Sequence, residues 1–229
     1  MAEEISPSAT VHHDKFHREL DLLKNKLLEL ARLAEAAMEQ SVTAFLNRDS
    51  DLARRVIKGD AAINALEETI DGECVRLIAL FQPVAMDLRQ LMAVDHIIGE
   101  LERVGDSAAN IAEEALILSK WPPGVHRELP QMAQEVQEML RLSLRAFMTQ
   151  DPHLARQVCK ADMEVDSLDY AVIQDLLSFM AADREAIMAC QSQINVVSNL
   201  ERVGDHATNI AEQVVYMVEG ESIRHRCQG

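Results

Sequence analysis

Glu102-Arg103-Val104-Gly105-Asp106 returns letter for letter as Glu201-Arg202-Val203-Gly204-Asp205, and Asn-Ile-Ala-Glu follows each copy, at Asn110 to Glu113 and at Asn209 to Glu212. A repeat of this length, with its downstream neighbours kept in step, marks an internal duplication. Around the first copy Leu91, Val94, Ile98, Leu101, Gly105, Ala108, Ala112 and Ala115 alternate steps of three and four. That spacing draws a single apolar stripe along a helix, of the kind that packs in a bundle. The pentapeptide therefore sits on a long amphipathic helix, and so does its copy.

Working outward, residues from about Asp14 to Leu46 read as a first helix, with Leu20, Leu23, Leu27, Leu30, Ala34, Ala37, Ser41 and Ala44 on one face. Asp49 is the expected N-cap of a second helix, Ser50 to about Phe81, which Gln82-Pro83 breaks. Asp87, with Gln90 three residues on, has the form of a capping box at the start of the third helix, which runs to about Lys120. Trp121-Pro122-Pro123-Gly124 then punctuates the chain. Past it, Asp49, Leu52-Ala53-Arg54, Val56, Lys58 and Asp60 recur as Asp151, Leu154-Ala155-Arg156, Val158, Lys160 and Asp162. The second copy is three residues shorter between its second and third helices, where Pro83 has no counterpart.

The expected fold is all-α: a tandem repeat of two elongated three-helix bundles. The expected divisions are a disordered N-terminus at 1–13, a first repeat at 14–120, a linker at 121–129, a second repeat at 130–220 and a C-terminal tail at 221–229. Helices of about 30 residues are about 45 Å long, and short connections make them up-down-up neighbours.

Composition agrees. Of 229 residues, 48% are hydrophobic and only 3% aromatic, with 8 Gly and 6 Pro, which suits long packed helices rather than sheets. With 38 acidic against 22 basic residues the formal charge is −16, which disfavours nucleic acid as a partner and favours cations or basic surfaces. No apolar run is long enough to cross a bilayer, so a cytoplasmic protein without direct membrane insertion is expected. Cys74, Cys159, Cys190 and Cys227 show no C-x-x-C spacing and read as buried or idle thiols.

The acids are the chemistry. At about 100° per residue, Asp95, Glu102, Asp106 and Glu113 fall in a stripe about 40° wide on the third helix, beside its apolar seam. On the second helix Asp60, Asn64, Glu67 and Asp71 step by four, three and four. Two neighbouring helices can bring these ridges to one edge, where carboxylates repel and draw in a cation. Oxygen-only ligands suit Mg²⁺, Mn²⁺, Ca²⁺ or iron, and zinc also enters among the candidates. The second repeat keeps Asp162, Asp166 and Asp169 on one helix and Glu201, Asp205 and Glu212 on the other, but Ile173 and Ile194 stand where Asp71 and Asp95 would be. Its site is expected to be smaller or weaker. Asn110 and Asn209 are candidate carbonyl ligands or supporting donors.

The bland alternative leaves these acids solvated or paired with Arg54, Arg103, Arg156 or Arg202. His13 and His17, four apart near the N-terminus, read as exposed, and His206 as a residue beside the site or in solvent. No Glu-x-x-His, P-loop, nucleophile elbow or Gly-rich dinucleotide loop occurs. No catalytic residue is assigned, and the rival reading is a carboxylate-only metal-storage protein or metalloenzyme.

The two Leu-Glu-Arg-Val-Gly-Asp copies, each followed by Asn-Ile-Ala-Glu, together with Asp49 to Ile57 and Gln82 to Arg89, closely resemble the PhoU family of phosphate-transport accessory regulators, over about residues 15 to 226. The resemblance implies a cytoplasmic, usually dimeric protein that restrains phosphate uptake and starvation signalling. Its implied partners are a sensor histidine kinase and the ATPase subunit of the phosphate ABC transporter. It also implies metal ions at Glu/Asp-x-x-x-Asp motifs, here Glu102 with Asp106, Glu201 with Asp205, and Glu67 with Asp71. Ile173 breaks the corresponding motif of the second repeat.

Overall fold

The computed structural model describes residues 7–119 and 124–223, with side chains described from residue 13. They form six long helices: α1 (Pro7–Asn47), α2 (Ser50–Phe81), α3 (Ala85–Leu118), α4 (Leu129–Thr149), α5 (Pro152–Ala182) and α6 (Ile187–Glu219). A 3-10 turn at Arg184–Ala186 leads into α6, and no strand occurs among the described residues. None of these helices is long and apolar enough to cross a membrane.

Side-chain caps set two of the starts. Asp49 accepts hydrogen bonds from the N–H groups of Asp51 (3.0 Å) and Leu52 (2.9 Å), and Asp151 does the same for His153 (2.8 Å) and Leu154 (3.3 Å). Each satisfies N–H groups that the helix itself leaves without partners. The shorter second connection has no proline; there Asp183 accepts from Glu185 N (2.9 Å) and opens the 3-10 turn.

Three local expectations are revised. The first helix begins at Pro7, well before Asp14, so of the stretch 1–13 expected to be disordered, 7–13 is helical and 1–6 lies outside the described residues. A proline at the first helical position costs nothing, because its missing N–H has no intrahelical acceptor there. Asp87 does not cap α3: Val84 holds the N-cap position without a side-chain hydrogen bond, and Asp87 lies inside the first turn. Gln82 (φ 48°) and Ala85 (φ 50°) bend the connection through the left-handed region. Cys159 is disulfide-bonded, which cysteine spacing does not reveal, whereas Cys74 and Cys190 are free and buried. The tail 224–229 and the Trp121-Pro122-Pro123 punctuation lie outside the described residues.

α1, α2 and α3 pack as one bundle and α4, α5 and α6 as the other; the two join along α3 and α6, with α1 also meeting α4. The expected α3 seam is buried throughout, from Leu91 to Ala115. A second buried stripe, Ala93, Ile97, Val104, Ser107, Ile111 and Leu118, runs about 100° away around the helix. Glu100, Asn110 and Glu114, which touch α6 side chains, lie on or beside this second stripe. α3 therefore has three working faces: one for its own bundle, one for the partner bundle, and one left for the acids.

Candidate functional site

That remaining face of α3 lies against α2, and the two ridges meet as rungs. Asp60 approaches Asp106 and Glu102; Glu67 approaches Glu102 and Asp95; Asp71 hydrogen-bonds Asp95. The order reverses along the two helices, as antiparallel neighbours require. Burial raises Asp60 above the usual carboxylate range, and repulsion from Asp106 adds to it. Glu67 is raised by burial and then by Asp71, Glu68 and Asp95, and Glu102 by burial and then by Asp106, Glu67 and Asp60. Asp95 is raised by burial against the opposing pull of His96, and its shared hydrogen bond with Asp71 raises it further.

The second repeat builds the same edge between α5 and α6. Asp162, which is buried, is pushed up to about 6 by burial, then by Asp166 and Asp205. Glu201 is pushed up to about 7 by burial, then by Asp205, Asp169, Asp166 and Asp162. Asp169 is raised by burial and Asp166, and Asp205 by burial and Asp166 against the pull of His206. Ile173 and Ile194 pack on the core where the first repeat places the Asp71–Asp95 rung. The second cluster is thus smaller, as its sequence predicts. Its acids are nonetheless the more strongly perturbed.

Two of the four arginines that might have neutralised these ridges are engaged elsewhere. Arg103 turns to Glu100 (3.1 Å), and Arg156 makes a two-pronged pair with Glu219 (2.8 and 2.6 Å). Both asparagines lie away from the acids. Asn110 donates to Asn199 (3.2 Å) and Asn209 to Glu100 (3.1 Å), both across the joint between bundles. His206 Nδ1 meets the same Glu100 oxygen at 2.7 Å. Burial would raise Glu100, but the hydrogen bonds from His206 and Asn209 hold it below the usual range. These three side chains serve the bundle joint, a role that single-helix periodicity does not reveal.

The glycines of the motif differ in their surroundings. A Cβ on Gly105 would lie 2.9 Å from Ile63 Cδ1, 3.1 Å from Ile63 Cγ2 and 3.3 Å from Asp60 Oδ1, so α2 approaches this backbone closely. At Gly204 the nearest atoms stand at 3.6 to 3.7 Å, ordinary contact. Asn64 Nδ2 donates to Asp60 Oδ2 at 3.2 Å, leaving Asp60 Oδ1 and Asn64 Oδ1 buried without a hydrogen-bond partner. Two orphaned oxygens beside crowded, proton-hungry carboxylates fit a hard cation bound by oxygen ligands. The ridges stand open rather than closed on a point. Among the described residues no trio of ridge carboxylates brings ligand oxygens within 4.8 Å of one another; His13, His17 and Asp87 do so with their ligand atoms. Mutual repulsion keeps bare carboxylates apart, and a cation would draw them together.

A family model described as the PhoU domain matches the chain twice, at residues 27–115 and 129–214. The phosphate-specific transport system accessory protein PhoU homolog of Pseudomonas putida is 36% identical over 225 residues, covering 96% of this chain and 88% of the relative. The homolog from Caulobacter vibrioides is 38% identical over 210 residues, 91% of each chain. Among solved structures, PhoU from Pseudomonas aeruginosa superposes with a TM-score of 0.87 at 36% identity, over 90% of this chain and 100% of the other. The phosphate transport system regulatory protein PhoU from Streptococcus pneumoniae gives 0.85 at 30% identity, over 90% and 98%.

Proposed function

The chain belongs to the PhoU family, its matched domain present twice, and from that premise we propose that it is a non-enzymatic regulatory adaptor of phosphate transport. Its relatives are accessory proteins of phosphate-specific transport. In this reading it works in the cytoplasm as a homodimer. It contacts a sensor histidine kinase and the ATPase subunit of the phosphate ABC transporter, restraining both uptake and the starvation response. Metal ions of the Mg²⁺, Mn²⁺, iron or zinc class sit on the two carboxylate edges, held by Glu67, Asp71, Glu102 and Asp106 in the first repeat and by Asp162, Asp166, Asp169, Glu201 and Asp205 in the second.

The observation that supports metal binding is the pair of carboxylate edges whose acids are pushed upward mainly by burial and by one another. A cation removes that repulsion, so it stabilises the folded protein by mass action. It alters partner affinity only if the free and partner-bound forms bind metal unequally. The adaptor role is tested by co-purification from phosphate-replete and phosphate-starved cells. A histidine kinase and a transporter ATPase are expected to accompany the protein, in amounts that change with phosphate. Recovery of neither in either condition would count against the role.

A further inference from the structure

Within the first bundle, α1 meets the beginning of α3. His13 and His17 are one turn apart on α1, so both rings project from the same face. Their Nε2 atoms lie 3.0 Å apart, and their ring centroids 4.2 Å. His13 Nε2 is 3.9 Å from Oδ2 of Asp87 and His17 Nε2 is 3.9 Å from its Oδ1, and Asp87 lies in the first turn of α3. Four-coordinate zinc with bonds near 2.0 Å sets its ligand atoms about 3.3 Å apart. The imidazole nitrogens, 3.0 Å apart, stand near that spacing, and Asp87, whose two oxygens each lie 3.9 Å from one of them, stands slightly outside it, where a bound ion would draw the carboxylate in.

The surroundings hold α1 to both α2 and α3 here. Phe16 packs against Phe81 at the end of α2 (ring centroids 5.6 Å), Lys24 donates to Gln90 (3.0 Å), and Arg76 pairs with Glu19 (2.6 Å). The ligand set also differs in kind from the carboxylate edges. Two imidazoles with one carboxylate select late first-row divalent ions over Mg²⁺ or Ca²⁺. Because all three groups are exposed or half-buried, a fourth position is open to water.

We propose that His13, His17 and Asp87 form a binding site for one late transition-metal ion, zinc above all, which clips the start of α1 to the start of α3. The site is independent of the carboxylate edges and of their role. The test titrates Co²⁺ into the full chain in excess Mg²⁺, so that oxygen-only sites are filled, and follows the visible absorption of four-coordinate cobalt. Wild type is expected to develop that absorption to one equivalent and to lose it when Zn²⁺ is added. His13→Ala and His17→Ala should each weaken binding by roughly tenfold or more, with unchanged far-ultraviolet circular dichroism because neither ring is buried. A protein carrying Glu102→Gln, Asp106→Asn, Glu201→Gln and Asp205→Asn should still develop the full absorption. No four-coordinate absorption in wild type, or equal absorption and affinity in the His13→Ala, His17→Ala double variant, would overturn the proposal.

Discussion

Glu201 and Asp162 carry the sharpest electrostatic conflict in the molecule, and its sign has a consequence for stability. Their carboxyls are pushed up to about 7 and about 6 in the folded chain, above the ordinary range they regain on unfolding. Over the interval from about pH 4 to about pH 7 the native state therefore holds more protons than the unfolded one, and stability falls as pH rises. Metal-free protein should melt at a higher temperature at about pH 5.5 than at about pH 8, as far as these groups decide it. Glu201→Gln and Asp162→Asn should each raise stability at the higher pH by roughly 1 kcal/mol, a figure reduced for the solvent screening that half-buried Glu201 and the exposed acids around both groups allow. Urea melts of the metal-free variants at both pH values check this; variants less stable than wild type at the higher pH would show that the acids are already neutralised by some other contact. Exposed Asp166 supplies part of the repulsion on Asp162, as exposed Asp71 and Asp106 do on Asp95 and Asp60 in the first repeat.

α3 and α6 show how far periodicity reaches. The spacing from Leu91 to Ala115 identified the helix, its buried seam and the acidic stripe beside it, because each depends only on angular position around one axis. Which neighbour covers the remaining face does not follow from that angle. Asn110, Asn209 and His206 were legible as polar groups near the acids, yet they meet α3–α6 partners, since each of these helices is flanked on two sides. The same limit hid the trio at α1 and α3: the i, i+4 histidines were visible, but nothing in the sequence places Asp87 opposite them. Gly105 and Gly204 are identical in sequence context and separate only in packing. Gly204→Ala should stabilise the protein by about 0.5–1 kcal/mol, since the new methyl meets atoms at ordinary contact and the helix gains propensity. Gly105→Ala should destabilise it by about 1 kcal/mol, because buried Ile63 is β-branched and has little freedom to yield. Chemical denaturation of the two single variants decides the matter, and equal shifts would show that α2 can move away from Gly105.

At the scale of the whole molecule, duplication places two carboxylate edges on one body, while the α3–α6 joint fixes the bundles to each other through Glu100, His206 and Asn209. The copies have diverged in opposite senses: three rungs of milder conflict in the first, two rungs of sharper conflict against Ile173 and Ile194 in the second. Fold and family membership were legible because the repeat, its caps and its seams are all local patterns. The balance between the two edges was not, because burial of Asp162 depends on tertiary packing. The central claim is that these edges are built for cations, and melting temperature with and without Mg²⁺ or Mn²⁺ tests it most directly. It should be compared between wild type and the variant combining Glu102→Ala, Asp106→Ala, Glu201→Ala and Asp205→Ala. Metal should raise the wild-type melting temperature by several degrees, roughly what 1–2 kcal/mol of binding linkage gives for a chain this size, and leave the variant unmoved; equal shifts in the two proteins would contradict it.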